Sequence, residues 1–201
     1  MTPAPATWAL IPIKGRGAGK TRLAGVLSAG ERDWLVEAML AHVVAEMERT
    51  VARTLAVGPA RAGVVANLER IEDAGGGLNA ALAHALAEVA GRKDAPARLI
   101  VIPADLPCLA AADVVRLAHV PPGCIGIAPD RHGCGTNALS LPLPEAAGFR
   151  FRFGLDSAAR HSDEVAILGL NAVTITAPGL EKDIDEPGDL ADAAHMFSLT
   201  T

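Results

Sequence analysis

The chain opens with an apolar run, Trp8-Ala9-Leu10-Ile11-Pro12-Ile13, that stops at a loop of glycines and cations. A short apolar run bounded by turn residues predicts a strand buried on both faces. The same signal returns at 51–57 (VARTLAV), 98–107 (RLIVIPADLP), 124–130 (CIGIAPD), 136–142 (TNALSLP) and 172–177 (AVTITA). Between the strands the apolar period changes from two to about 3.6. Residues 31–49 put Trp34, Leu35, Ala38, Met39, His42, Val43 and Met47 on one helical stripe, and GGGLNAALAHALAEVAG (75–91) predicts a helix of small residues after three glycines. AADVVRLAHV continues the third strand as a helix, a short helix is expected over 155–161, and Pro187 is placed to open a last one. RHGCG (131–135) is expected as a turn between two strands, and PEAAG (144–148) as a plain loop. No repeat, linker or low-complexity tract interrupts the pattern. Alternating strands and helices, with strands too apolar for a wet face, predict a single α/β domain over 1–201 with a largely parallel sheet covered on both sides.

Composition sharpens this picture in three places. Half of the 201 residues are apolar, but aromatics are 3% and tyrosine is absent, so the core must be Ala, Val, Leu and Ile. A net charge of −5 argues against a nucleic-acid or anionic-membrane footprint, which makes the cations near the first loop local ligands rather than part of a basic face. Cys108, Cys124 and Cys134 are odd in number and contain no Cys-x-x-Cys, as expected of free thiols in a cytoplasmic protein. A membrane-spanning run and a signal-type N-terminus are both lacking.

Ligands of open α/β sheets bind beyond the carboxyl ends of the strands, and three polar clusters fall there. The first is Lys14, Arg16, Lys20 and Arg22, interleaved with glycines that let backbone approach a phosphate. Its Gly-Lys-Thr ending imitates an NTPase P-loop, but that motif needs a glycine five residues before Gly19, where this chain has Lys14. The second is Asp105 at the tip of IVIPADLP, suited either to Mg²⁺ or to capping the helix that follows. The third is EKDIDEPGDL (181–190). In an extended stretch Asp183 and Asp185 share a side with Ile184 opposite, giving half a metal site; alternatively these acids serve the dipole of the Pro187 helix. Two further segments suit a small anion. Gly135-Thr136-Asn137 offers backbone N–H groups and a hydroxyl or else a simple hairpin turn, while Gly154 and Ser157 mark a helix start with Arg160 and His161 one turn on. His132 and Cys134 lack companions for a metal site, and His42 and His84 fall on helix surfaces or partly in the core. Three carboxylates with a Lys/Arg-Gly loop suit nucleotidyl transfer, in which attack on the α-phosphorus of an NTP expels pyrophosphate. A phosphate acceptor is already an oxyanion near neutral pH (second pKa about 6) and needs no general base.

The set IPIKGRGAGKTRLA, GGGLNAAL, IPADLP, PDRHGCGTNAL, FGLDSAARH and DIDEPGDL resembles the guanylyltransferases of deazaflavin coenzyme F-420 biosynthesis, from about residue 8 to 195. These join GMP from GTP to 2-phospho-L-lactate, phosphoenolpyruvate or 3-phospho-D-glycerate. The resemblance implies a single Rossmann-like domain of the GT-A nucleotidyltransferase type, with a mixed, mostly parallel sheet. It implies Mg²⁺ at Asp105, Asp183 and Asp185, with Lys20 also catalytic. GTP contacts follow at Lys14, Lys20, Arg22, Gly77 and Asn79, and acceptor contacts at Thr136, Gly154 and Ser157. A downstream transferase that takes the unstable product is an expected partner. Cys108, three residues past Asp105, is expected to line the acceptor pocket. The competing expectations are a molybdopterin or sugar-phosphate nucleotidyltransferase, a P-loop kinase or GTPase, and a nucleotide-binding module without catalysis.

Overall fold

The computed structural model describes residues 6–194 other than 16, 18, 61 and 74, so the predicted phosphate contact Arg16 lies outside the described residues. Seven strands form one sheet in the order β3-β2-β1-β4-β6-β5-β7. They are β1 (Thr7–Pro12), β2 (Arg53–Val57), β3 (Glu69–Ile71), β4 (Arg98–Val101), β5 (Cys124–Pro129), β6 (Thr136–Pro142) and β7 (Asn171–Thr174). β3, β2, β1 and β4 run parallel, β6 is antiparallel to both β4 and β5, and β7 pairs parallel with β5. Among the described residues five α-helices accompany them: α1 (Ala29–Glu48), α2 (Leu78–Ala90), α3 (Ala111–Ala118), α4 (Ser157–Ile167) and α5 (Pro178–Glu181).

Strand periodicity places the two halves of the core. In β1, Ala9 and Ile11 face one layer, where Leu40, Val43 and Met47 of α1, Leu117 of α3 and Leu180 of α5 pack. Trp8 and Leu10 face the other, against Leu82 and Leu86 of α2 and Val165 of α4. Both faces are therefore covered, as the wholly apolar strands require. The α1 stripe is rotated from the expected one: Leu40 and Val44 are buried, whereas Ala38 and His42 are only partly so.

Several elements differ from the sequence expectation. β4 ends at Val101 rather than at Pro107, leaving an irregular stretch that carries Asp105. α4 runs to Ile167 rather than stopping at residue 161, and in the added turns Glu164 is buried under Arg150 and Arg152. β3 and α5 were not expected; three and four residues are too short for a periodic signal. The last helix is a 3-10 turn over Pro187–Ala191.

A third, smaller core positions the chemistry. Leu23, Leu35, Met39, Ile184 and Ala193 are buried together, with Trp34 and Leu190 against them. Leu23 belongs to the 3-10 helix Thr21–Gly25 that follows the opening loop, and Ile184 separates Asp183 from Asp185. Burying these two side chains in one cluster fixes the opening loop and the paired acids relative to each other. Ile184→Ala is expected to cost about 2–5 kcal/mol, as for other fully buried Ile truncations. Urea unfolding would measure it, and a loss below about 1 kcal/mol would mean the cluster does not anchor the acids.

Candidate active site

Asp105 lies in the irregular exit from β4 and Asp183 and Asp185 in the extended segment after α5. One carboxylate oxygen from each lies within 4.8 Å of the others. Asp105 is not a helix cap, since α3 begins six residues later with Ala110 at the N-cap. Nor do Asp183 and Asp185 serve the 3-10 helix at Pro187. That role falls to Asp189, whose Oδ2 accepts the N–H groups of Asp185 and Glu186 at 2.8 Å each, while its Oδ1 accepts from Arg131 at 2.5 Å. Burial alone would raise the Asp189 carboxyl, but these bonds bring it below the ordinary carboxyl range, so it stays charged and Asp185 hangs from a fixed anchor.

Three carboxylates this close repel one another by about 3 kcal/mol per pair at an effective dielectric constant near 20. Burial, then the charges of Asp105 and Asp185, push the Asp183 carboxyl above its usual range. Lys20 offsets the repulsion. Its Nζ donates to Asp105 Oδ2 at 2.6 Å and to Asp185 Oδ1 at 3.0 Å, and its side chain is only 8% exposed. Burial alone would lower the Lys20 pKa; the two carboxylates more than reverse this, so the ammonium stays charged. Lys20 takes up this position from a left-handed backbone (φ 54°) just before a five-residue 3-10 helix. A P-loop lysine instead opens a full helix. Arg22 is more peripheral, 3.7 Å from Asp185 and mostly exposed.

A cleft of about 430 Å³ opens beside this cluster, within the usual range for a small-molecule site. Lys14, Gly15, Gly17, Gly19 and Lys20 line it from the opening loop, Val36, Met39 and Leu40 from α1, and Gly77, Leu78 and Ala81 from the start of α2, with Asp105 and Asp185 at one end. Two acids not foreseen from the sequence shape its loops. Asp33 accepts the N–H of Gly17, whose φ of 77° suits glycine, and Asp73 accepts the N–H of Gly75 at 2.8 Å. Asp73 two residues before a glycine is an Asx-turn signal that the sequence does carry. Gly75, Gly76 and Gly77 all have positive φ, and α2 begins without a side-chain cap, so its first N–H groups and the positive end of its dipole are available to an anion.

Asn79 does not line the cleft. Its amide clamps the backbone of Phe153 from both sides, accepting its N–H at 2.8 Å and donating to its carbonyl at 3.1 Å. The predicted nucleotide contact is thereby a strap between the α2 start and the loop that holds Gly154 (φ 124°). Ser157 is buried at the first position of α4, whose N-cap Asp156 makes no side-chain capping bond. One turn on, His161 reaches Thr136 Oγ1 at 2.9 Å, and Ala158 N–H donates to Cys134 carbonyl at 3.0 Å. The start of α4, which carries Ser157, is thus tied to the strand end that carries Thr136. β6 pairs with β4 up to Leu139 opposite Val101, and Thr136 lies three residues further toward the end of the sheet that carries Asp105. Asn137 donates to Leu180 carbonyl, and Arg131 N–H to Glu181 carbonyl, tying the 130–137 hairpin to the segment that leads to Asp183. Cys108 falls elsewhere: its thiol donates to Asp192 carbonyl at 3.5 Å and does not line the cleft.

The fold and this arrangement can be set beside known proteins. The family model described as "Guanylyl transferase CofC like" matches residues 7–196. The chain belongs to this family. It is 37% identical over 199 residues to the phosphoenolpyruvate guanylyltransferase of Sphaerobacter thermophilus, covering 94% of this chain and 92% of the relative. It is also 32% identical over 205 residues to the 3-phospho-D-glycerate guanylyltransferase of Phenylobacterium zucineum, covering 93% and 89%. Among solved structures, a proposed nucleotide-diphospho-sugar transferase from Desulfovibrio desulfuricans G20 superposes with a TM-score of 0.73 at 16% identity, over 92% of this chain and 85% of that one. The last likeness concerns the fold alone.

The guanylyltransferase-family fold keeps His161 neutral. It is fully buried, which lowers its pKa to about 4; Glu164 opposes the shift and Arg152 adds to it. Since the folded pKa lies below the ordinary 6.5, the unfolded chain takes up the proton first. Stability should therefore fall as pH drops from 6.5 to about 4, by roughly 3 kcal/mol in total, and level off below that. Urea unfolding of wild type and His161→Gln across this range checks it: the variant should lose that part of the slope, and identical slopes would refute the assignment.

Proposed function

We propose that this protein transfers GMP from GTP to a phosphorylated three-carbon acid, releasing pyrophosphate. The observation that carries the proposal is the convergence of Asp105, Asp183 and Asp185 within 4.8 Å beside a glycine and lysine loop. The family match over 7–196 and relatives named for phosphoenolpyruvate and 3-phospho-D-glycerate supply the base and the acceptor class.

A phosphate oxygen of the acceptor attacks the α-phosphorus of GTP; the new P–O bond forms as the bond to the β-phosphate oxygen breaks, and pyrophosphate leaves with that electron pair. The acceptor is already anionic, so the step needs no general base. The three carboxylates are a hard oxygen donor set of net charge −3, which fits Mg²⁺. When bound there, Mg²⁺ would supply charge neutralisation to the triphosphate and the acceptor. Lys20 already meets two of these acids and is placed to follow the phosphates as they enter. Gly75–Gly77 and the α2 N–H groups receive phosphate oxygens, and the apolar wall of Val36, Met39 and Leu40 suits the nucleoside. Thr136, Gly154 and Ser157 orient the acid. The product carries a mixed phosphate anhydride, so a transferase that consumes it promptly is a natural partner.

Pyrophosphate release from GTP and Mg²⁺ should require phosphoenolpyruvate, 3-phospho-D-glycerate or 2-phospho-L-lactate. Orthophosphate release without any acid would instead indicate a P-loop type of hydrolysis. Asp105→Asn and Asp183→Asn should each lower turnover by on the order of 100-fold while the protein stays folded. Turnover within a few-fold of wild type in either variant would remove that residue from the reaction. Lys14→Ala with Lys20→Ala should raise the KM for GTP at least about tenfold, from lost charge-assisted bonds to phosphate.

A further inference from the structure

His161 has no part in the chemistry above, yet it is wholly buried at the acceptor side and both ring nitrogens are engaged. The backbone N–H of Arg152 donates to Nε2 at 2.9 Å. An amide N–H cannot accept, so Nε2 carries no proton, and in the neutral ring the proton must sit on Nδ1. Nδ1–H then donates to Thr136 Oγ1 at 2.9 Å rather than the reverse. Among the described residues no acceptor is found for the hydroxyl proton of Thr136 itself. The groups around the ring hold it in this orientation. Arg152 is pinned by Glu164, which also holds Arg150, so the amide that faces Nε2 cannot drift. Phe149 and Phe153 pack on the ring, with centroids at 5.6 and 4.9 Å, and prevent it from turning over. Asn79 fixes Phe153 in turn.

We propose that His161 is a positioning residue for the acceptor: its Nδ1–H occupies one lone pair of Thr136 Oγ1 and so turns the Thr136 hydroxyl proton toward an anionic oxygen of the phosphorylated acid. This rests on the guanylyl-transfer function proposed above. A neutral imidazole, with a pKa near 4, stays in this role throughout the range in which the acceptor phosphate is ionised. The hydroxyl cannot then point its lone pairs at the incoming anion, which is the orientation that would repel it. The chain of orientation runs Glu164 to Arg152, Arg152 to His161, and His161 to Thr136, with the substrate as its last member. A loop that held the acid through the Thr136 backbone alone would need none of these links.

Two amide substitutions separate the links. In His161→Gln the side-chain oxygen can stand where Nε2 does and still accept from Arg152 N–H, but the donor to Thr136 is lost. In His161→Asn the amide nitrogen stands near Nδ1 and keeps the donor to Thr136. Steady-state kinetics on the intact enzyme, with GTP and the preferred acid, should give a KM for the acid raised about tenfold in His161→Gln. The KM for GTP should be unchanged, and His161→Asn should recover most of the loss. Thr136→Val should raise the acid KM similarly, and adding His161→Gln to it should change nothing further, because both remove one link. Nitrogen-15 spectra of the imidazole should place the proton on Nδ1. A proton on Nε2, additive effects in the double variant, or equal losses in Gln and Asn would overturn the positioning role. Absence of pyrophosphate release by the wild-type enzyme with every acid would instead overturn the function on which it rests.

Discussion

Mutual repulsion among Asp105, Asp183 and Asp185 is the constraint around which the rest of this structure is arranged. Carboxylates within 4.8 Å of one another repel, and here packing holds them and a cation offsets the repulsion. Both are visible. The cluster of Leu23, Leu35, Met39 and Ile184 holds the opening loop and the paired acids together, and Asp189 hangs Asp185 from two backbone bonds. Lys20 is the compensating charge, reaching the cluster across 85 and 165 residues of sequence. Under the proposed function such a site takes a cation together with a polyphosphate, whose entry gives Lys20 a new partner.

The acceptor side depends on the same architecture through a different kind of bond. There the ties are neutral and directional: Asn79 to Phe153, Arg152 to His161 and His161 to Thr136. Because Asn79 is the second residue of α2, whose start lines the cleft, the strap couples that end of α2 to the loop carrying Gly154. The antiparallel strand β6 brings Thr136 to the end of the sheet where β4 has just run out.

Much of this was legible in the sequence, for physical reasons that can be named. The doubly covered sheet followed from strands such as WALIPI, where both sides are apolar. The sharing of one side by Asp183 and Asp185 followed from the two-residue period, with Ile184 buried as that period requires. Other features left no local trace. The Lys20 ion pairs join distant segments, and the Asn79 clamp reads in sequence as an ordinary polar residue in the first turn of a helix. The helix expected over 155–161 continues to Ile167, and the burial of Glu164 in its added turns depends on two arginines from a different segment. Cys108 lies beside Asp105 in sequence, but its chain turns away to Asp192, where proximity in number gives no guide.

The claim on which the account turns is that the three-carboxylate cluster is a cation site shared with the triphosphate. Calorimetric titration of a non-hydrolysable GTP analogue, with and without Mg²⁺, tests it without requiring turnover or a choice of acid. The account predicts that Mg²⁺ tightens binding by at least about tenfold in wild type and has no such effect in Asp183→Asn. Equal affinity with and without Mg²⁺ in wild type, or an undiminished Mg²⁺ effect in the variant, would contradict it.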